Sequence, residues 1–194
     1  MSMALNFNRR LASQHQGVMD GDLARARRDT TNNRMSACTL GLIGFGRSAV
    51  HPARRAKGFG MRVLASSQNK NTPRDEADAP GVEMTNLDTV LRELDYVSLH
   101  IPLSPSAHHI IDAAALAKMR PTAIIINTLR GSLIYEWSLV AALKEERIGG
   151  TGIDTYGLIN IFLGHIPSPV HPRVGSPNVI LSPHTSSASI TRQN

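Results

Sequence analysis

Residues 39–49 have the sequence Thr-Leu-Gly-Leu-Ile-Gly-Phe-Gly-Arg-Ser-Ala, an aliphatic run followed by a glycine-rich turn. The run Thr39–Ile43 predicts a buried strand, and the amphipathic pattern over residues 47–59 predicts a helix. A second strand is predicted over residues 61–65. A strand, a tight turn, a helix and another strand in succession predict one unit of a parallel sheet.

The same alternation continues to residue 181. Helices are predicted over residues 88–94, 113–119 and 137–147, and strands over residues 96–100, 123–127, 151–154 and 178–181. Short aliphatic strands that alternate with amphipathic helices are typical of a parallel sheet covered on both faces. We therefore predict an α/β fold, a doubly wound, Rossmann-like sheet.

Two parts of the chain depart from this alternation. Residues 1–37 are predicted to form an N-terminal helix over residues 3–19 and a loose basic linker, with residues 38–194 as the main domain. Within that domain, residues 155–177 are strongly apolar but contain four prolines and three glycines, which predicts an irregular loop. The loop is either packed on the domain, or it serves as a lid or an interface arm.

The composition excludes several classes of protein. Of the 194 residues 41% are hydrophobic, but no apolar run reaches the length of a membrane helix, and no signal peptide is evident. The single cysteine, Cys38, excludes an intrachain disulfide and a multi-cysteine zinc site, and the histidine spacing predicts no metal site. We expect a soluble cytoplasmic protein with no membrane partner.

The net charge of +6 is unevenly distributed. Residues 1–70 carry 12 Lys/Arg against 3 Asp/Glu, whereas residues 71–194 carry 9 against 12. An anionic small molecule accounts for this excess as well as DNA does. Aromatic residues are only 4% of the chain and are not interleaved with the basic residues, so nucleic-acid binding is not expected.

The glycine-rich turn predicts a dinucleotide site. Gly44 permits the tight turn, and Gly46 lets the backbone approach a pyrophosphate at the positive end of the helix that Arg47 and Ser48 begin. The small Ala49 lets the helix pack closely on the strand. A purely structural turn is the alternative, but the strand–turn–helix–strand context favours the cofactor site.

The end of the second strand bears on the choice of cofactor. A site for NAD usually has an Asp or Glu there to bind the ribose 2′-hydroxyl, whereas this chain has Ser67 with Lys70 nearby. A carboxylate would repel a 2′-phosphate and a lysine would attract it. The sequence therefore favours NADP over NAD, with both kept as candidates.

Several collinear segments resemble the D-isomer-specific 2-hydroxyacid dehydrogenases, including the branch of the C-terminal-binding-protein corepressors. The matching segments are Thr-Leu-Gly-Leu-Ile-Gly-Phe-Gly-Arg at 39–47, Phe-Gly-Met-Arg-Val-Leu at 59–64, Asp-Tyr-Val-Ser-Leu-His-Ile-Pro-Leu at 95–103, Met-Arg-Pro-Thr-Ala-Ile-Ile-Ile-Asn-Thr-Leu-Arg-Gly at 119–131, Gly-Gly-Thr-Gly-Ile-Asp at 149–154 and Pro-Asn-Val-Ile-Leu-Ser-Pro-His at 177–184. Leu-Asn-Phe-Asn-Arg-Arg at 5–10 is similar to the corepressor branch's helix at this point.

The resemblance implies hydride transfer between a nicotinamide cofactor and C2 of a 2-keto or 2-hydroxy acid. Arg130 matches the arginine that binds the substrate carboxylate, for which a planar, permanently charged guanidinium is suited. His184 matches the acid/base, a role that suits a side chain titrating near neutrality. Asp154 matches the residue that orients the nicotinamide carboxamide. The matching segments also place His100, Pro102 and Thr128 with the cofactor. The family pairs through this domain, so a homodimer is expected.

Three departures bear on activity. The family has a Glu five residues after the Asp, where it pairs with the histidine, and this chain has Ile159. By analogy with broken catalytic pairs, its loss lowers the rate by about 10²–10⁴. The family is also longer, with a substrate domain that forms one wall of its cleft. Finally, Ala49 replaces the third glycine, and Tyr135 replaces an Asp.

Three functions therefore stay open. The first is an NAD(P)-dependent 2-hydroxyacid dehydrogenase of reduced activity. The second is a cofactor-binding sensor or scaffold without redox turnover, which the replaced Glu and the short chain favour. The third is a dehydrogenase fold that carries out non-redox chemistry, since one fold hosts many activities.

Overall fold

The computed structural model of the chain describes residues 1–24, 34–68, 81–157 and 178–185. Within these ranges the chain forms a seven-stranded parallel sheet in the order β3-β2-β1-β4-β5-β6-β7. The strands are β1 (Thr39–Ile43), β2 (Arg62–Ser66), β3 (Val82–Met84), β4 (Tyr96–Leu99), β5 (Ile124–Asn127), β6 (Gly150–Ile153) and β7 (Val179–Leu181). The predicted doubly wound sheet is confirmed, and β3 is an edge strand that was not predicted.

The described helices are α1 (Ser2–Arg9), α2 (Leu11–Met19), α3 (Arg47–Gly58), α4 (Leu87–Glu93), α5 (Ala113–Leu116) and α6 (Glu136–Lys144). The single helix predicted over residues 3–19 is divided at Arg10, which adopts a left-handed conformation with φ of 47°. None of the described helices is long and apolar enough to cross a lipid bilayer. The division of the chain at residue 37 stays a prediction.

Alternation along the strands produces two apolar layers. In β1, Leu40 and Leu42 belong to the layer that α3 covers, whereas Ile43 belongs to the layer beneath α4, α5 and α6. A Cβ at Gly41 would lie 2.7 Å from Val90 Cγ1 of α4, so the missing side chain lets this helix approach the sheet. Both faces of the sheet are therefore covered, as the continuous aliphatic strands predicted.

Helix α1 packs against strands β5 and β6 of the sheet. A Cβ at Gly150 would lie 2.8 Å from Phe7 Cε1, and one at Gly152 would lie 2.8 Å from Met3 Sδ. The two glycines of β6 thus provide the space that the apolar side of α1 occupies. Helix α1 is thus packed directly onto the sheet.

All the strands run in the same direction, so their carboxyl ends meet at one edge. The register pairs Ile43 of β1 with Ser66 of β2 and with Leu99 of β4, which brings the loops after these strands side by side. In an open parallel sheet, ligands bind at this edge where the strand order reverses, here between β1 and β4.

Candidate active site

The turn after β1 is held against the end of β4. Gly44 has φ of +87°, and its N–H donates to the carbonyl of Ser66 at 2.8 Å. A Cβ at Gly44 would lie 2.7 Å from the backbone carbonyl of His100 and from the amide nitrogen of Ile101. Glycine is required here both by the backbone conformation and by the close approach.

Gly46 differs from Gly44 in its backbone conformation and in the space around it. It is the N-cap of α3, with φ of −136° and ψ of −170°, and no side chain caps this helix. A Cβ at Gly46 would meet no atom within 4 Å among the described residues. Arg47 and Ser48 follow in the exposed first turn, and Ala49 is fully buried. The N–H groups of a first turn have no intrahelical acceptor, so this helix end is suited to an anion.

A cavity of about 230 Å³ lies beside this turn at the ends of β1 and β2. Ser66, Ser67 and Gln68 form one wall, and Thr85 and Asn86 form another. Its described lining contains no acidic side chain. Lys70, which was predicted to attract a 2′-phosphate, lies outside the described residues.

A larger cavity of about 780 Å³ lies across the edge, between α1 and α3. Its lining includes two of the predicted cofactor residues, His100 and Thr128, together with Ser182 and Thr185 from the segment after β7. Pro102 is exposed in the loop after β4 and lines neither of these two cavities.

His100 enters the larger cavity as a neutral imidazole. Its Nε2 lies 3.0 Å from the hydroxyl of Ser98, and burial lowers its pKa to about 4. Its buried Nδ1 has no hydrogen-bond partner within the described part of the chain. A polar ligand atom in the cavity would satisfy this nitrogen, since buried polar groups are normally hydrogen-bonded.

Arg130 is exposed at the end of a short turn that follows β5. Its Nη1 donates to the carbonyl of Leu129 at 2.7 Å. The turn is closed by the fully buried Asn127, which donates from Nδ2 to the carbonyl of Arg130 at 2.8 Å. On the other side, a Cβ at Gly131 would lie 2.0 Å from the amide nitrogen of Gly157, so the two backbones are in direct contact.

Asp154 holds the segment that carries His184. The carboxylate is fully buried at the end of β6, and its Oδ1 accepts from the Ser182 hydroxyl and from the Thr185 N–H, the latter at 3.1 Å. His184 lies between these two residues, is half-buried and has φ of 59°. Buried Asp154 is thereby bonded on both sides of the histidine, to the side chain of Ser182 and to the backbone of Thr185.

The structure therefore brings the predicted residues that it describes to one edge of the sheet, on the loops after β1, β2, β4, β5, β6 and β7. Sequence reasoning missed Asn127 and Ser182, whose hydrogen bonds support Arg130 and Asp154. It also missed Glu136, whose Oε1 accepts from the Gly157 N–H at 3.0 Å. For Asn127 and Ser182 the signal available in the sequence was a polar side chain at the end of a predicted strand. Ile159 and residues 158–177 of the predicted apolar loop lie outside the described residues.

Comparisons with known proteins agree with this geometry. The model of the family described as "D-isomer specific 2-hydroxyacid dehydrogenase, NAD binding domain" matches residues 1–186. A glyoxylate reductase of Korarchaeum cryptofilum (strain OPF8) is 41% identical over 151 residues, which are 78% of this chain and 43% of that protein. A D-lactate dehydrogenase of Escherichia coli (strain K12) is 36% identical over 156 residues, 80% of this chain and 46% of that protein.

Among solved structures, a D-isomer specific 2-hydroxyacid dehydrogenase from Lactobacillus delbrueckii ssp. bulgaricus in its NAD complexed form superposes with a TM-score of 0.83. It is 30% identical, and the match covers 97% of this chain and 58% of that one. The chain thus spans about half the length of the relatives that it matches.

Proposed function

Because the chain belongs to the D-isomer specific 2-hydroxyacid dehydrogenase family, we propose that it catalyses NAD(P)-dependent hydride transfer to or from C2 of a 2-keto or 2-hydroxy acid. The observation that carries the proposal is the arrangement of the carboxyl edge, where the glycine turn, Arg130 and the Asp154–His184 segment all lie on loops at the same edge of the sheet. When bound, NAD(P)H supplies the hydride from its nicotinamide ring.

The residues present fit a dinucleotide. The first-turn N–H groups of α3 bind the pyrophosphate, and the open space at Gly46 lets it approach the backbone. His100 would satisfy its buried Nδ1 on the cofactor, and the family resemblance assigns the carboxamide to Asp154, which is buried behind the cavity. Thr128 and Pro102 complete the cofactor side of the site.

Arg130 and His184 act on the acid itself. The Arg130 guanidinium pairs with the substrate carboxylate and polarises the keto oxygen, which fixes the position of C2. His184 donates a proton to the oxygen on C2 during reduction and takes it back from the hydroxyl during oxidation. The segment held by Asp154 keeps this imidazole in place. With Ile159 where the family has a Glu, turnover is slower by about 10²–10⁴.

For the cofactor, we propose that NADP(H) is accepted and slightly preferred. Support comes from the described lining beside Ser67, which has no carboxylate to repel a 2′-phosphate. Lys70 follows three residues later in the sequence and would supply a positive charge.

We also propose that the chain pairs as a homodimer. Support comes from the exposed apolar side chains of Leu11, Val18 and Met19 on α2, and of Leu23 beyond it. Exposed apolar surface of this kind usually marks an interface. Light scattering tests this: the wild type should have the mass of two chains, and Met19→Asp should shift it towards one. A wild-type mass of one chain at high concentration would contradict the proposal.

Purified protein should be titrated with NADH and NADPH by nicotinamide fluorescence and then mixed with glyoxylate, pyruvate and bulkier 2-keto acids. We expect saturable binding of both cofactors, slightly tighter for NADPH, and slow oxidation of the cofactor with at least one acid. Binding without any turnover would instead identify a sensor or scaffold. Absence of binding to folded protein would overturn the cofactor site itself.

A further inference from the structure

Asn127 is a buried polar residue whose side chain is hydrogen-bonded at both its oxygen and its nitrogen to one turn. It ends β5 and is 0% exposed. Burial of an amide is unfavourable unless both of its ends are hydrogen-bonded. Here Oδ1 accepts from the Leu129 N–H at 3.1 Å and Nδ2 donates to the Arg130 carbonyl at 2.8 Å.

These two bonds determine where the backbone of Arg130 lies. The first bond turns the chain sharply after the strand, and the second fixes the carbonyl of Arg130 itself. The same carbonyl also accepts from the Leu133 N–H at 3.3 Å, which joins the turn to the short 3₁₀ helix Gly131–Leu133. The backbone carbonyl of Asn127 accepts from the Asp154 N–H at 2.9 Å. One residue thus connects the Arg130 turn to the strand end that carries Asp154.

The Arg130 side chain, by contrast, is exposed, and among the described residues its hydrogen bond is to the turn itself, from Nη1 to the carbonyl of the neighbouring Leu129. A long exposed side chain loses much conformational freedom when it binds a ligand. A rigid point of attachment limits that loss, and misplacement of a binding group by about 1 Å lowers activity by about 10²-fold.

We infer that Asn127 is a positioning residue for the substrate carboxylate, acting through the backbone of Arg130. The inference rests on the role proposed above for Arg130. It also explains the residue type. Asp lacks the donor for the Arg130 carbonyl, Ser is too short to reach both partners, and Gln carries the amide one bond farther out.

A double-mutant cycle tests this inference. Asn127→Ala should raise KM for glyoxylate by about 10- to 100-fold, while the affinity for NADH changes by less than about twofold. In an Arg130→Ala background the same substitution should have no further effect on KM. The matched control is Asp112→Ala, which removes another side chain that closes a turn, the cap that accepts the Ala115 N–H at 2.8 Å. The control should change neither KM for glyoxylate nor the affinity for NADH.

Equal effects of Asn127→Ala in both backgrounds would overturn the inference, because the residue would then act independently of Arg130. A parallel loss of NADH affinity would also overturn it, since that result indicates general loosening of the sheet edge.

Hydrogen exchange provides a measurement that does not need activity. The Leu129 N–H should exchange about threefold to tenfold faster in Asn127→Ala than in the wild type, as expected for one lost hydrogen bond. It should be unchanged in Asp112→Ala. If the wild type turns over no 2-keto acid, the proposed function fails, and the exchange rate alone decides whether Asn127 fixes the turn. An unchanged Leu129 rate would overturn the inference.

A second variant separates the two bonds and covers the case in which Asn127→Ala does not fold. Asn127→Ser places no charge in this buried site: its hydroxyl accepts from the Leu129 N–H, as in an ST turn, but is too short to donate to the Arg130 carbonyl. Leu129 should therefore stay protected from exchange while KM for glyoxylate still rises by about tenfold. Wild-type KM in this variant would contradict the role assigned to the Arg130 bond.

Discussion

Gly44 and Gly46 lie two residues apart in one motif, yet the structure predicts different effects when each is replaced by alanine: a loss of stability at Gly44 and a loss of cofactor affinity at Gly46. At Gly44, a φ of +87° costs an alanine about 1–2 kcal/mol. The new Cβ would also lie 2.7 Å from backbone atoms of His100 and Ile101, which adds about 1–3 kcal/mol. Gly44→Ala should therefore destabilise the fold by about 2–5 kcal/mol.

At Gly46, φ of −136° is accessible to alanine and no described atom lies within 4 Å of the new Cβ. Stability should fall by less than about 1 kcal/mol, the ordinary loss for alanine at an N-cap. The methyl group would instead occupy the space through which a pyrophosphate approaches the first turn of α3. Loss of one hydrogen bond to a charged group should weaken NADH binding by about 10- to 100-fold.

The assay is thermal unfolding by circular dichroism together with NADH titration at a temperature where both variants are folded. For a chain of this length, Gly44→Ala should lower Tm by about 4–20 °C, and Gly46→Ala should change it little. Each variant serves as the control for the other. The reasoning is refuted if the two lose equal stability, or if Gly46→Ala binds NADH as the wild type does.

Four further predictions follow from the site. Arg130→Lys should raise KM for glyoxylate by about 10-fold or more in steady-state assays, because lysine lacks the bidentate fork; an unchanged KM would exclude a carboxylate contact. Ser67→Asp should shift the ratio of NADH to NADPH affinity towards NADH by about 10-fold in parallel titrations, since a carboxylate repels the 2′-phosphate, and no shift would place the ribose elsewhere. Ile159→Glu should increase kcat for 2-keto acid reduction by about 10²-fold, whereas a fall would show that this position does not serve His184. Burial holds the pKa of His100 at about 4 against 6.5 in the unfolded chain, so the unfolded chain protonates first and stability falls as the pH drops from about 6.5 to about 4. In urea unfolding, the free energy of unfolding of His100→Asn should therefore fall by about 2 kcal/mol less than that of the wild type between about pH 7 and pH 5. Equal losses would contradict this.

The repeating elements could be predicted from the sequence because their signals are local. The strand Thr39–Ile43 has the predicted bounds, and the helix Arg47–Gly58 ends within one residue of the predicted position. Apolar periodicity and the glycine turn fix these elements without reference to the rest of the chain. The edge strand Val82–Met84 was missed because it is three residues long and two of them are exposed.

The kink in the N-terminal helix and the supports of the site could not be predicted in this way. The helix is divided at Arg10 in a left-handed conformation, with no glycine or proline to mark the position. The Ser182 hydroxyl donates to Asp154 across 28 residues of sequence, a contact that exists only once β6 and β7 pair. Arg130, His184 and Asp154 were found through the family resemblance, whereas contacts formed by tertiary packing require the structure.

The most direct test of the central claim is a measurement of hydride transfer itself. Wild-type protein should be incubated with glyoxylate and with NADH that carries deuterium at both positions on C4 of the nicotinamide ring. The glycolate is then analysed by mass spectrometry, because product accumulates even when turnover is slow. The glycolate should carry deuterium on C2, in amounts that fall sharply in His184→Ala and Arg130→Ala. Folded wild-type protein that binds NADH but yields no labelled glycolate, or any other labelled 2-hydroxy acid from the matching keto acids, would contradict it.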